Sequence, residues 1–217
     1  MRFRRLKLLV ALAVYSVTTP VFADTTEQAR QLLRDFLGAA DSYTAVFDQQ
    51  HIDDEGKLLE KSNGEFWLQR PGRFRWSYLA PLERLIISDA DRIWLYDPDL
   101  DQVTVRNADG ALEQTPAGLL VSGEELLDAY DISLGEISSS LQTVNLVPLR
   151  GQVGQSDFLL IELGLRDNIL QRLVLHDRFG QQTRIDFYDT RLNPSLDEDL
   201  FTFEVAAGID VIDQTGM

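Results

Sequence analysis

A long succession of short β-type segments is the feature of this sequence that most constrains its fold. The segments are rich in β-branched and aromatic residues, and turn sequences such as Pro71-Gly72 and Asp97-Pro98-Asp99 separate them. Strands at this spacing, without long helices between them, predict an antiparallel sheet that curls into a barrel or a sandwich. The eleven predicted strands cover residues 43–52, 57–69, 73–79, 83–88, 91–97, 101–106, 132–137, 141–149, 157–164, 168–176 and 181–190.

Three predicted helices accompany the strands. Residues 25–40 repeat apolar side chains at helical spacing after a capping box at Thr25 and Gln28, and two shorter helices are predicted to begin at Pro116 and after Ser122. None is long enough or broad enough in its apolar face to fold alone, so each must pack on the sheet. The helices either cover the mouth of a curled sheet or plug the end of a sandwich. Their predicted packing residues include Leu33, Phe36, Leu119, Leu120 and Leu126.

The first 23 residues have the three parts of a secretory signal peptide. Four basic residues among the first seven precede an apolar run over residues 8–17, and Val21-Phe22-Ala23 supplies the small residues of a cleavage site. The run is too short to cross a bilayer as a permanent helix. We therefore expect residues 1–23 to be a cleaved signal peptide and residues 24–217 to form a single exported domain.

The charge of the chain excludes whole classes of partner. The predicted leader holds four of the twenty Lys and Arg residues and none of the thirty-five Asp and Glu residues, so the rest of the chain carries a net charge of −19. Such a protein is repelled by nucleic acids and by anionic membrane surfaces. The sequence has no cysteine, which excludes stabilising disulfides and the lipid anchor of a bacterial lipoprotein. We expect a monomer that relies on its core and binds no nucleic acid.

Residues 69–78, QRPGRFRWSY, concentrate three arginines and three aromatic residues around one turn. If the loop has two or four residues, side-chain alternation places Trp67 opposite Trp76, and Phe74 and Tyr78 on the same face. Arg73, Arg75, Phe66 and Leu68 then take the other face. A three-residue loop would break this register, and Pro-Gly is not a favoured tight-hairpin turn.

The four aromatic residues on one face, Trp67, Phe74, Trp76 and Tyr78, would form a wide apolar wall, and four further apolar residues lie on the neighbouring strands. If the sheet is filled by its own side chains, the wall is ordinary core; if helices only cover it, the wall lines a cavity for an apolar ligand. The four further residues are Leu85, Ile87, Trp94 and Tyr96.

Arg70 differs from its neighbours because it stands at the turn itself. A guanidinium has five donors in a fixed arrangement, which suits it to bind several carbonyls at a helix end at once. Arg70 is therefore either a clasp that holds a helix over the mouth of the sheet or an ordinary surface arginine.

Several stretches carry a resemblance that covers residues from the first helix to the C-terminus. They are GEFWLQRPGRFRWSYLAPLERLIISD, IWLYDPDLDQVTV, TPAGLL, LHDRFGQQTRIDFYD and FTFEVAAGIDVID. In this order they resemble the family of periplasmic outer-membrane lipoprotein carrier proteins, LolA. The R-P-x-x-F-x-W and W-x-Y-D-P-x-L-x-Q-V patterns are the most specific parts. The sequence departs from the family at Asp89-Ala90-Asp91, where Asp-Gly is common, which leaves only the turn type in doubt.

The resemblance implies an incomplete antiparallel barrel with a lid of short helices over an apolar cavity. It implies that Arg70 latches the lid in the free state and that Phe74 belongs to a surface that accepts cargo. The cargo would be triacylated lipoproteins, received from an inner-membrane ABC transporter and passed to an outer-membrane receptor, without a cofactor. On this basis the predicted acyl-chain-binding residues are Phe47, Trp67, Phe74, Trp76, Tyr78, Ile87 and Trp94.

Catalysis and metal binding have little support in the sequence. His51 and His176 are far apart in sequence, and neither has a partner at metal spacing or an evident nucleophile nearby. A carboxylate-based hydrolase stays open only because acidic residues are abundant. Asp97, Asp99 and Asp101 match the start of a calcium loop, but Gln102 stands where that loop requires glycine, so a turn is the better interpretation.

A third alternative is a module that senses lipoproteins on the same kind of barrel, as in envelope stress regulators. Such proteins usually carry a further domain, and no linker or second domain is evident in this sequence. A carrier and a sensor differ in whether lipidated cargo co-purifies with the protein.

Overall fold

Twelve β-strands form one sheet in the computed structural model, which describes residues 25–81, 83–108, 116–121, 123, 126–136, 140–149 and 157–216. The predicted signal peptide lies outside these residues. Eleven strands match predicted ones, ten of them to within two residues at each end, and the strand Tyr130–Leu134 ends three residues before the predicted end at residue 137. The strands are β1 Ser42–Ile52, β2 Leu58–Gln69, β3 Arg73–Tyr78, β4 Arg84–Asp89, β5 Arg92–Asp97, β6 Gln102–Asn107, β7 Tyr130–Leu134, β8 Gln142–Pro148, β9 Phe158–Arg166, β10 Ile169–Asp177, β11 Gln182–Leu192 and β12 Asp210–Asp213.

The strand order is β12-β6-β5-β4-β3-β2-β1-β11-β10-β9-β8-β7. All neighbours are antiparallel except β12, which runs parallel to β6. The two end strands, β12 and β7, do not pair with each other in the described part of the chain. The sheet therefore stays open, which confirms the predicted incomplete barrel.

Strand β12 was not among the predicted strands. It has four residues, two of them aspartates at its ends, and all four are exposed. It adds to the sheet through its backbone, with Val211 beside Val103 of β6. A strand without a buried face lacks the alternation that identifies strands in a sequence.

Three helices lie on one face of the sheet, which we call the inner face. They are α1 Thr25–Ala39, α2 Pro116–Val121 and α3 Leu126–Ala129, and they begin close to the predicted starts. The predicted cap residue Ser122 lies outside the described residues. Leu119 and Leu126 fall within α2 and α3, but their side chains are likewise outside the described part.

One continuous apolar core connects the helices to both halves of the sheet. It contains Leu33 and Phe36 of α1 and Leu120 of α2, all buried as predicted. The same core includes Trp76 of β3 and Ile132 of β7, which lie far apart in the strand order. Strands so distant in a flat sheet could not share a core, so the sheet curls around the helices.

A smaller apolar layer covers the opposite, outer face of β3 to β6. The C-terminal segment crosses this face, and its 3-10 turn Glu198–Phe201 packs on β3 and β4. Phe201 is buried there, and the Tyr96 and Phe203 rings contact each other with centroids 5.4 Å apart. The outer face of these strands is therefore occupied by the chain itself.

Gly64 of β2 makes room for an aromatic ring on the inner face. It pairs with Phe47 of β1 and Tyr78 of β3. A Cβ atom at this position would lie 2.0 Å from the Ser77 carbonyl oxygen and 2.7 Å from Phe47 Cζ. The position accepts no side chain unless the strands move apart.

We expect Gly64→Ala to lower the free energy of unfolding by about 2–3 kcal/mol, because the added methyl overpacks two neighbours. Urea unfolding followed by circular dichroism measures this change. Gly38→Ala is the matched control, since nothing lies within 4 Å of a Cβ at Gly38 in α1, and alanine favours a helix. Equal unfolding midpoints for the two variants would contradict this account of Gly64.

Candidate functional site

The β2–β3 hairpin places the aromatic residues differently from the prediction. Residues 70–72 form a three-residue loop, and Phe66 pairs with Trp76 and Leu68 with Phe74. Trp67 instead pairs with Arg75 and lies half-buried on the outer face. The predicted position of Trp67 on the wall with Trp76 is therefore wrong. The loop length shifts the register by one residue, and a one-residue shift moves a side chain to the other face.

The predicted placement of Ile87 and Trp94 on that wall is also wrong. Arg75 pairs with Ile87, and Ile87 pairs with Trp94, so all three share the outer face. Ile87 is buried on the face where the C-terminal 3-10 turn packs, and Trp94 is half-buried. The β3–β4 and β4–β5 pairings set the faces of Ile87 and Trp94, so their misplacement is separate from the error in the β2–β3 loop, which displaced Trp67 and not Ile87 or Trp94.

The inner face contains a cluster of six aromatic side chains, which we call the aromatic cluster. The closest ring centroids are 4.7 Å apart for Phe66 and Trp76, 5.0 Å for Phe47 and Trp76, and 5.2 Å for Phe47 and Tyr78. Tilted and edge-on contacts of this kind add stability beyond the buried area. The members are Tyr43, Phe47, Phe66, Trp76, Tyr78 and Phe187.

Phe74 lies on the same face as the aromatic cluster, nearer the loop that carries Arg70. Its side chain is fully buried, opposite Leu68, in the core that also contains Leu120 of α2. Phe47 and Trp76 are buried to the same degree. Four predicted binding residues, Phe47, Phe74, Trp76 and Tyr78, thus share one face beneath the helices.

Both tyrosines of the aromatic cluster donate their hydroxyl hydrogens inside the protein. Tyr43 Oη donates to the Leu170 carbonyl at 2.8 Å, and Tyr78 Oη donates to Gln49 Oε1 at 3.0 Å. Burial raises the pKa of Tyr78 to about 12, and burial also raises the pKa of Tyr43. Both side chains are therefore neutral hydrogen-bond donors at any physiological pH.

Arg70 connects two helices through their backbone carbonyls. Nη1 donates to the carbonyls of Leu37, at 3.2 Å, and of Ala40, at the C-terminal end of α1. Nη2 donates to the Leu120 carbonyl of α2 at 2.9 Å. The guanidinium also lies 5.5 Å from the centre of the Phe36 ring. A cation in this position hydrogen-bonds carbonyls that have no partner within the helix. It also interacts favourably with the negative end of the helix dipole.

Asn193 completes the C-terminal end of α1. Its Nδ2 donates to the Ala39 carbonyl at 2.8 Å, and its Oδ1 accepts from the Asp41 amide at 2.8 Å. Asn193 was not among the predicted functional residues. Asn193 has a left-handed backbone conformation (φ 52°), and asparagine after a strand is a turn signal that indicates no distant partner.

Arg30 makes a second helix-to-helix contact that the sequence analysis missed. Its Nη1 donates to the Leu127 carbonyl of α3 at 3.0 Å. Arg30 directly follows Ala29, which belongs to the buried stripe of α1. An arginine at the edge of an apolar stripe was the available signal, because its stem can lie along apolar surface while its head reaches a neighbour.

The described residues contain no group of three or more His, Asp or Glu side chains that could hold a metal ion. His176 Nε2 lies 2.5 Å from Glu162 Oε1, and His51 contacts Thr183 and Gln181. The aspartates around Pro98 flank a 3-10 turn, Pro98–Leu100, in agreement with the turn interpretation. In the same described part, no helix has the length and apolar character needed to span a bilayer.

Comparison with known proteins connects this arrangement to one family. The model of the family described as outer membrane lipoprotein carrier protein LolA matches residues 39–204. The chain belongs to the LolA family. An outer-membrane lipoprotein carrier protein of Halorhodospira halophila is 38% identical over 92% of this chain and 93% of its own length. The corresponding protein of Methylococcus capsulatus is 40% identical over 88% of this chain and 89% of its own.

Solved structures share the fold at low sequence identity. A LolA superfamily protein of Nitrosomonas europaea has a TM-score of 0.51 at 12% identity, covering 83% of this chain and 99% of its own. MucB has a TM-score of 0.51 at 19% identity, covering 86% of this chain and 66% of its own. Identities this low show a common LolA-like fold and nothing about activity. The family name describes a carrier, so this member of the LolA family is not an enzyme.

The raised pKa of Tyr78 predicts how stability depends on pH. Because the folded protein holds this proton more tightly than the unfolded chain, the contribution is fully present below pH 10 and is lost as pH rises towards 12. We expect the free energy of unfolding to fall by on the order of 2 kcal/mol over this range, and Tyr78→Phe to flatten the fall. Urea unfolding at pH 9 to 12 tests this, and identical pH dependence in both proteins would contradict it.

Proposed function

We propose that this LolA-family protein carries triacylated lipoproteins through the periplasm, with their acyl chains held against the inner face of the sheet. It receives them from an inner-membrane ABC transporter and delivers them to an outer-membrane receptor. The predicted signal peptide and the family assignment support this role. The observation that carries it is the position of Arg70, which joins two helices over an aromatic face through hydrogen bonds to their backbone carbonyls.

The physical need for a carrier follows from the cost of exposing acyl chains to water. Each buried methylene group is worth about 0.8 kcal/mol, so a lipoprotein with three chains does not leave a membrane unaided. A carrier must replace most of that burial and still let go of the chains. The aromatic cluster offers a wide apolar surface for this purpose.

In the conformation described here the inner face is closed. Phe47, Phe66, Phe74 and Trp76 are each at most 2% exposed, packed against one another and beneath the helices. Acyl chains reach these side chains only if α1, α2 and α3 move. We call these three helices the lid, and this closed conformation the empty state of the carrier.

The contacts that hold the lid are suited to reversible opening. Arg70 binds carbonyls of α1 and α2, and Arg30 of α1 binds a carbonyl of α3, so α1 is connected to each of the other two helices through a side chain. Hydrogen bonds of this type contribute about 1–3 kcal/mol each. Acyl chains that bind only the open form shift the population towards it.

We expect Arg70→Leu to favour the open lid and to make release of cargo harder. Loss of about 3 kcal/mol from the closed state, the low end for three such hydrogen bonds, changes the ratio of closed to open protein about 150-fold. The experiment loads wild-type and variant carriers with one lipoprotein and measures transfer to purified receptor over time. The variant should retain its cargo while the wild type transfers it.

Arg172→Leu is the matched control for this variant. Arg172 pairs with Asp186 at 2.6 Å in β11 and takes no part in the lid. This control should transfer cargo as the wild type does. Normal transfer by Arg70→Leu would show that Arg70 is not the latch.

We expect Phe74→Glu to prevent loading, because a carboxylate on the inner face repels acyl chains and is costly to bury. Co-purification of lipoprotein with the carrier from cells measures loading. Tyr188→Glu is the control, since Tyr188 is exposed on β11. Circular dichroism verifies that both variants are folded. Normal loading of a folded Phe74→Glu protein would remove Phe74 from the cargo route.

A further inference from the structure

Trp76 has a buried hydrogen-bond donor without a partner. Its side chain is 2% exposed, and its Nε1 is fully buried and makes no hydrogen bond with the described residues. Leaving such a donor unsatisfied is costly, because the group loses its hydrogen bonds to water on burial and gains none in the protein. A buried polar atom of this kind in a folded protein calls for an explanation.

The donor stands out among the polar groups of the aromatic cluster. Tyr43 and Tyr78 both donate to acceptors within the protein, at 2.8 and 3.0 Å. Burial is the largest cause of the raised pKa of Tyr78, and the interaction with the Trp76 N–H is the smallest of the influences that lower it. The two rings are stacked with centroids 6.3 Å apart, and the Trp76 N–H does not meet the geometry of a hydrogen bond to the Tyr78 hydroxyl. The Trp76 N–H is therefore available to an outside acceptor that offers better geometry.

Packing alone does not require a tryptophan at this position. Phe47, Phe66 and Phe187 surround the Trp76 ring and fill the same core without a polar atom. An indole adds a donor and no acceptor. Ligand sites are mostly apolar, with a few polar groups that fix the orientation of the ligand, and the Trp76 N–H fits that description.

We propose that Trp76 Nε1 donates a hydrogen bond to the carbonyl oxygen of an ester-linked acyl chain when the lid is open. This inference rests on the proposed function and assigns a positioning role within it. An ester-linked acyl chain is apolar except for its ester group. The carbonyl oxygen of that ester is therefore the one strong hydrogen-bond acceptor that the chain can bring to the aromatic cluster. The hydrogen bond would set how deeply each chain enters.

The test combines two proteins with two ligands. The ligands are a synthetic lipopeptide with two ester-linked chains and its analogue with ether-linked chains of equal length, which lacks both carbonyls. The proteins are the wild type and Trp76→Phe. We expect the Trp76→Phe substitution to weaken binding of both ligands unequally. The loss of affinity for the ester ligand should exceed the loss for the ether ligand by about 5–10-fold. Isothermal titration gives the four affinities.

A second measurement keeps Trp76 in place and observes its N–H group directly. In protein carrying Trp67→Phe and Trp94→Phe, both on the outer face, Trp76 is the one remaining tryptophan. Labelling with ¹⁵N-tryptophan then gives one indole N–H signal. The proton should shift downfield with the ester ligand and not with the ether ligand, which reports the hydrogen bond itself.

The outcomes separate this inference from the proposed function. If the wild type binds both ligands, but Trp76→Phe weakens them equally or the indole signal responds alike to both, the inference is overturned and the carrier function stands. If the wild type binds neither ligand, the proposed function fails and this inference falls with it. Selective loss of ester binding together with the selective shift supports the assignment.

Discussion

The three-residue loop Arg70–Gly72 controls both the inner face and its cover. Its length sets the register of β3 against β2, which brings Phe74 and Trp76 to the side of the helices. Its first residue supplies the guanidinium that binds α1 and α2. Gly72 adopts a left-handed conformation (φ 72°) with Ala90 packed against it. A loop one residue shorter or longer would exchange the two faces of β3.

The sequence predicted the strands well because their signals are local. Alternating apolar residues and turn dipeptides identified eleven of the twelve strands, and the apolar stripe of α1 identified the helix. The side-chain chemistry of Arg70 also indicated a contact with helix carbonyls, which the structure contains. These features depend on residues close together in the chain or on the properties of one side chain.

The face of the sheet on which each side chain lies could not be predicted with the same success, because it depends on the register between neighbouring strands. Trp67, Ile87 and Trp94 are large apolar residues that looked suitable for an inner wall, yet they lie on the outer face. The burial that Ile87 requires comes from a segment more than a hundred residues later. Arg30 and Asn193 were not predicted for a related reason, since their partners are backbone groups far away in the sequence, which the local pattern around each residue does not identify.

The strength of the lid contacts also limits what they can do. The four described hydrogen bonds from Arg70 and Arg30 contribute in total about 4–12 kcal/mol, which equals the burial of about five to fifteen methylene groups. Three acyl chains contain many more, so under the proposed function these contacts would not decide whether cargo binds. They would offset a modest part of the binding energy and favour the closed conformation. A receptor would then need only a small advantage in affinity to take the cargo, because closure of the proposed lid would oppose rebinding.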